Sequence, residues 1–238
     1  MLKILSWNCQ YEYYLRQGLS EPKFKAITLY DFDVLVIQEC TKKEFDMVKR
    51  EFKYKNWYCD DIEDSVLGIA IFSNTVKIEF IESFNRNYRY VVPYKLITNG
   101  NEIILFSVWI KAPLDNTKNY VKVLFDAIDY YRPKDKAIIV GDINVGSNNE
   151  NIDRYKELCS TLEKYHFFNA ASNTKYEFMN THWNNNGSFY QNDYCFYTND
   201  IMINSVIIPK NDQWIKVNNS YKWDHLSDHS PIIVNFNI

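Results

Sequence analysis

Apolar runs of strand length recur along the whole chain: "LKILSW", "DVLVIQE", "LGIAIFS", "RYVVPYKLI", "EIILFSVWI", "KAIIVGD", "FYQNDYCFY" and "SPIIVNF". Such runs, bounded by polar turn residues, predict strands buried on one or both faces. Asn99-Gly100 separates two of them. An Asn-Gly pair between strand patterns predicts a tight hairpin, because both central positions take positive φ. Helical periodicity covers about 20–31, 42–51, 117–131 and 152–165. The third stretch sets Tyr120, Val123, Leu124, Ala127, Ile128 and Tyr131 on one face, and the fourth aligns Leu158, Leu162 and Tyr165, as in helices that pack on a sheet. Hairpins mixed with strand–helix–strand stretches predict an α/β fold, a two-sheet β-sandwich flanked by helices in four layers. A single parallel sheet fits less well, since several strands after "VLVIQE" follow one another without a helix. No repeat or low-complexity linker divides the chain, so residues 1–238 are expected to form one domain.

Composition narrows the function classes. A hydrophobic fraction of 46%, with 17% aromatic residues, supplies ample core. The net charge of −3 argues against a protein that coats nucleic acid electrostatically. It leaves room for a nuclease whose metal brings local positive charge. Neither GxGxxG nor a Walker A loop occurs, so no motif supports a nucleotide cofactor. The cysteines Cys9, Cys40, Cys59, Cys159 and Cys195 are odd in number and form no CxxC pair. That pattern predicts reduced, mostly buried thiols in a cytoplasmic protein. No stretch approaches the roughly 18 apolar residues of a membrane span, and "MLKILSWN" lacks the apolar region of a signal peptide. The expectation is an intracellular monomer with no membrane and no obligate protein partner.

Polar residues interrupt the ends of the predicted strands. The first run ends in Trp7-Asn8, the second in Gln38-Glu39, and the run at 137–140 in Gly141-Asp142-Ile143-Asn144. Another leads into Asp193-Tyr194, and the last is preceded by Asp228-His229. Each residue alone is equally a turn former, a cap or a solvated strand end. Together they are acid, amide and imidazole groups that converge if the strands share one rim, the way a rigid scaffold presents a site.

The order of "SWN", "VIQE", "IIVGDIN", "NDYCF" and "SDHSPIIV" along the chain resembles the endonuclease/exonuclease/phosphatase (DNase I-like) superfamily. The 137–196 segment is similar to a bacterial branch with no assigned substrate. GDxN followed by a terminal SDHxP is the specific part of the resemblance. It implies a two-sheet sandwich with the site on one rim, hydrolysing phosphoesters with Mg²⁺ or Mn²⁺. It also implies Glu39 as the main metal ligand, with Asn8 beside it and Asp228 contributing directly or through water. Asp142 would activate the attacking water, and Asn144 would hydrogen-bond a phosphate oxygen. Asp193 would pair with His229, whose cationic ring would face the phosphate. Many members carry a histidine where this chain has Trp109. That leaves a metal-bound water, His182 or a tyrosine to protonate the leaving group, and Trp109 as core or as a stacking platform.

These observations predict a metal-dependent phosphoesterase, foremost a nuclease cleaving DNA or RNA. The alternatives are a phosphatase or phosphodiesterase for a small-molecule or lipid ester, and a silent relative that binds nucleic acid or a partner. The 84–95 segment, "FNRNYRYVVPYK", is the candidate nucleic-acid contact, mixing Arg86, Arg89 and Lys95 with Tyr88, Tyr90 and Tyr94. A tyrosine-rich edge strand with solvated arginines is the competing reading. His166 and His225 receive no role.

Overall fold

The computed structural model describes residues 1–11, 18–59, 67–81, 84–111, 121–133, 136–147, 152–183, 188–209 and 226–238. The strands are β1 (Leu2–Asn8), β2 (Val34–Thr41), β3 (Tyr54–Cys59), β4 (Leu67–Ser73), β5 (Lys77–Phe80), β6 (Val91–Thr98), β7 (Asn101–Trp109), β8 (Ala137–Asp142), β9 (Phe167–Asn169), β10 (His182–Trp183), β11 (Phe189–Tyr190), β12 (Asp193–Thr198), β13 (Met202–Ile207) and β14 (Ile232–Asn237). The helices are α1 (Glu21–Ile27), α2 (Lys42–Val48), α3 (Lys122–Tyr131) and α4 (Ile152–Lys164). One six-stranded sheet runs β13-β14-β1-β2-β4-β3 and the other β5-β6-β7-β8-β12-β9, beside a β10-β11 hairpin.

Each sheet is built around one parallel pair. β1 runs parallel to β2, with α1 between them in the chain, and β7 runs parallel to β8, with α3 between them. A parallel pair needs a crossover, and the helix supplies it. The other pairings are antiparallel, as the hairpin pattern predicts. Asn99 (φ 48°) and Gly100 (φ 78°) make the tight turn that pairs Thr98 with Asn101.

Alternation along the strands sorts side chains into three apolar layers. Leu2, Ile4, Val34 and Val36 face the inter-sheet core with Leu105, Ile138 and Val140. Leu5, Trp7, Leu35 and Ile37 point the other way, into a layer with Ile27 of α1 and Phe45 of α2. Phe106, Val108, Ala137 and Ile139 pack against Leu124, Ala127 and Ile128 of α3 and Leu158 and Leu162 of α4. Strands buried on both faces read as continuous apolar runs, which is why β1, β2 and β8 stand out in the sequence. The result is the four-layer α/β sandwich expected.

Two expectations need adjustment, and part of another lies outside the described residues. The run "FYQNDYCFY" is two strands, β11 and β12, broken at Gln191 and Asn192. The segment 117–120 of the expected third helix lies outside the described residues, as does His225. Tyr90 and Tyr94, taken as stacking surfaces, are core residues at 1% and 0% exposure; Tyr94 of β6 and Tyr90 just before it both point into the inter-sheet layer. All five cysteines are free thiols, with Cys9, Cys40 and Cys195 buried. Among the described residues, no helix is long and apolar enough to cross a membrane.

Candidate active site

The topology brings the polar strand ends to one rim. β1 and β2 run parallel, so Asn8 and Glu39 lie at the same end of the first sheet. β14 is antiparallel to β1, so Asp228 and His229 precede it at that end too. In the second sheet β8 ends at Asp142, and its antiparallel neighbour β12 begins at Asp193, the cross-strand partner of Asp142. Asp193 therefore opens a strand instead of ending one, and the antiparallel register places it on the predicted rim. The two rims are stitched together by Asn8 Nδ2, which donates to Glu39 Oε1 (3.1 Å) and to Asp142 Oδ2 (3.0 Å).

Glu39 is aimed by a backbone irregularity. The β2–β4 register shifts between Gln38 and Cys40, leaving Glu39 as the extra residue of a bulge at φ 60°. A non-glycine residue in that region is held at a cost of about 1–3 kcal/mol and recurs where a side chain is re-aimed. Thr41 and Glu44 form the reciprocal capping box that starts α2 immediately afterwards, so the bulge is anchored on its far side. Glu39 Oε2 also accepts from the Tyr11 backbone N–H at 2.6 Å.

Asp142 is 1% exposed. Its Oδ1 accepts from the Asn144 backbone N–H (3.0 Å), and its Oδ2 accepts from Asn8 and from Asn144 Nδ2 (3.3 Å). Asn144 sits at φ 57°, so the chain leaves the extended conformation of β8 there and its backbone N–H folds back onto Asp142. Asn144 Nδ2 also donates to Ile110 O at 2.8 Å. Both hydrogens of its amide are thus engaged within the protein, so that Asn144 buttresses Asp142. Burial pushes the Asp142 carboxyl up to about 7, with His229 opposing the shift and the Asp193 charge adding to it.

His229 is 4% exposed, and its Nδ1 lies 2.8 Å from Asp193 Oδ2. Burial works against its charged form. The Asp193 carboxylate outweighs burial, helped by Asp142 and Asp228, and raises the ring to about 10. Among the described residues, Asp193 Oδ1 is buried with no hydrogen-bond partner. Asp228 lies between two imidazoles, its Oδ2 3.7 Å from His182 Nε2 and its Oδ1 3.9 Å from His229 Nε2. Burial raises the Asp228 carboxyl, but the His182 and His229 contacts prevail and hold it below the usual carboxylate range.

Two groups bring three carboxylate or imidazole ligand atoms within 4.8 Å of one another: His182, Asp228 and His229, and Asp142, Asp193 and His229. Glu39 belongs to neither group; its carboxylate is held instead against the Asn8 amide. Trp109 is 4% exposed and packs in the inter-sheet core. Its ring is covered by Lys111 Nζ at 4.0 Å, which leaves it as core and not as a stacking platform. Arg86 is exposed and Arg89 half-buried, both near Tyr88, whose ring packs on Tyr130 and Tyr131 of α3.

Several contributors carry no catalytic signature in sequence. Gln10, at φ 50°, donates its backbone N–H to Asn8 Oδ1 and accepts the Asp228 N–H on its Oε1, both at 3.0 Å. Lys23, 6% exposed, fixes that loop by donating to Cys9 O (2.7 Å) and Gln10 O (2.9 Å). Ser227 Oγ donates to Asn8 O (2.8 Å) and accepts the His229 N–H (3.0 Å). Thr181 Oγ1 accepts the Asn192 and Asp193 N–H groups at 3.0 and 3.1 Å. Only Ser227, inside "SDHSP", stood near a recognisable motif.

No family model and no curated protein sequence matches the chain. Solved structures do. A D. rerio TDP2 complexed with a single-strand DNA product aligns at a TM-score of 0.70 and 16% identity, covering 100% of this chain and 99% of that one. An endonuclease/exonuclease/phosphatase family protein from Bacteroides thetaiotaomicron aligns at 0.68 and 17% identity, covering 99% and 94%. The Neisseria 3′ phosphatase NExo, bound to a product DNA hairpin, aligns at 0.68 and 14% identity over 100% of both chains. The chain has the DNase I-like fold of the endonuclease/exonuclease/phosphatase proteins.

Proposed function

We propose that this protein is a Mg²⁺-dependent phosphoesterase that cleaves phosphodiester bonds of nucleic acid at the rim holding Glu39, Asp142 and His229. The observation that carries this reading is the division of labour among its acids. Glu39 and Asp142 flank one amide, that of Asn8, while Asp193 holds a cationic imidazole beside them. The DNA bound to TDP2 and NExo supports nucleic acid as the substrate class.

The residues present fit a hard divalent ion. Two carboxylates brought onto one amide call for a cation, and among the described residues neither Glu39 nor Asp142 is ion-paired with a lysine or arginine. Glu39 and Asn8 would hold the ion, with Asp228 reaching it through water, a set of oxygen donors suited to Mg²⁺. Bound there, the ion supplies Lewis-acid polarisation of a phosphate oxygen.

The chain's own residues supply the rest. Asp142 accepts the proton of the attacking water, and a carboxyl raised to about 7 is a base matched to neutral pH. Asn144 and Asn8 fix its two oxygens in place. His229, kept protonated by Asp193, donates from Nε2 to the phosphate oxygens as their charge grows in the transition state.

The test is hydrolysis by the purified protein, with Mg²⁺ or with EDTA. The panel is single- and double-stranded DNA, an abasic duplex, RNA and bis-p-nitrophenyl phosphate. Mg²⁺-dependent cleavage of a nucleic acid supports the reading. Cleavage of the small ester alone moves the substrate class to small molecules. No cleavage in any arm overturns the reading.

A further inference from the structure

His182 has no part in the chemistry above, yet it is built into the same rim. Its strand β10 bridges to His229, and the two imidazole centroids are 4.5 Å apart. Tyr190 stacks on it at 5.9 Å, nearly coplanar at 19°. Asp228 is clamped between the imidazoles by its own backbone: its N–H donates to Gln10 Oε1 and its carbonyl accepts the Trp183 N–H, both at 3.0 Å. The side chains are placed by a bridge and a chain of hydrogen bonds, which is the rigidity a preorganised site needs.

Two imidazole nitrogens and a carboxylate oxygen form a donor set for borderline divalent ions of the zinc class. Mg²⁺ prefers oxygen and fits it poorly. The spacing agrees. A tetrahedral zinc with bonds of about 2.0–2.2 Å holds its ligand atoms about 3.4 Å apart. Asp228 Oδ2 stands 3.7 Å from His182 Nε2 and Asp228 Oδ1 3.9 Å from His229 Nε2, and one ligand atom from each of the three residues lies within 4.8 Å of the others, so small side-chain rotations close the set on an ion. The support behind the ligands also agrees. Asp193 accepts from His229 Nδ1 at 2.8 Å, so Nε2 faces outward; a bound ion displaces the Nε2 proton to solvent and takes its lone pair, giving the carboxylate–imidazole–metal arrangement of metal sites. The side chains of His182 and Asp228 are 15% and 29% exposed, so a fourth position opens to solvent.

We propose that His182, Asp228 and His229 form a binding site for a zinc-class divalent ion, distinct from the Glu39–Asn8 position. Binding itself does not depend on the phosphoesterase reading. Its consequence rests on that reading: an ion on His229 Nε2 removes the donor that faces the phosphate, so zinc inhibits turnover even at saturating Mg²⁺.

The experiment titrates tag-free protein with Zn²⁺ alone, by calorimetry and by competition with a chromophoric chelator. It compares the wild type with His182→Phe and Glu39→Gln. The expected result is binding that weakens by more than about tenfold in His182→Phe, since even outer ligands of metal sites carry that much, and that is unchanged in Glu39→Gln. Co²⁺ in the wild type should show the visible absorption of a low-coordinate nitrogen–oxygen site, and this should vanish in His182→Phe. Should His182→Phe fail to give a cooperative melt, His182→Asn takes its place. Equal Zn²⁺ affinity in wild type and variant, or no binding in either, overturns the proposal. His182-dependent binding in a protein that hydrolyses nothing upholds the site and defeats the phosphoesterase reading alone. Hydrolysis without His182-dependent binding does the reverse.

Discussion

Asp193 and His229, 36 residues apart in the chain, show how two sequence signals become one device. The pair at 2.8 Å is buried on both sides, so removing one partner leaves the other desolvated. His229→Ala is expected to lower the rate by about 10²–10⁴ and to cost roughly 3–5 kcal/mol of stability through the stranded carboxylate. Steady-state kinetics and urea melts on the same preparation check both effects. With Asp142 as base and His229 as cation, the rate should rise with pH through a limb at or below about 7 and fall as pH approaches about 10; a bound cation moves the lower limb down. In Asp193→Asn the upper limb should move toward neutral, because the main charge supporting the imidazolium is gone. An unmoved upper limb would separate that limb from His229. The acids, amides and the histidine were legible because they interrupt apolar strands. Gln10, Thr181 and Ser227 were not, since they act through backbone hydrogen bonds that leave no pattern in composition or spacing.

At the level of elements, the site depends on two departures from regular strand geometry. The bulge at Glu39 re-aims one carboxylate. At the end of β8, Gly141 takes φ 143°, and a Cβ there would stand 2.0 Å from Val108 O. Gly141→Ala is therefore expected to destabilise the fold by about 3 kcal/mol or more, read as a shift in urea midpoint, and to displace Asp142. A wild-type midpoint would show that β7 and β8 can part without cost. Both departures escape periodicity. A bulge adds one residue inside a run that still looks like a strand, and GDxN looks like any Gly-Asp turn. The fully buried strands were legible from their unbroken apolar runs. The edge strands β3, β5 and β13 were not, because their mixed burial gives neither an apolar run nor clean alternation. The two-residue β10 and β11 are too short to carry a period, and so the placement of His182 against Asp228 could only come from the folded chain.

For the whole molecule, two sheets packed face to face, with the ends of β1 and β8 at one rim, explain why residues 134 positions apart, Asn8 and Asp142, share a hydrogen bond. The same arrangement links charge to stability. Asp142 and His229 both have folded-state values above their ordinary ones, about 7 against 3.8 and about 10 against 6.5. A raised value means the folded state binds the proton more tightly. Each contribution is complete below the ordinary value and is lost as pH rises through the raised one. The melting temperature of the metal-free protein should therefore fall between pH 7 and 10, and less steeply in His229→Gln; parallel slopes would contradict the assignment. The central claim, that this rim hydrolyses phosphodiesters through Asp142, is tested most directly by a single comparison. That comparison is the Mg²⁺-dependent cleavage rate of the best nucleic-acid substrate by the wild type beside Asp142→Asn, with folding matched by circular dichroism. The account predicts cleavage in the wild type, abolished by EDTA and reduced by at least about 10² in the variant. Equal rates in the two proteins, or cleavage that survives EDTA, would contradict it.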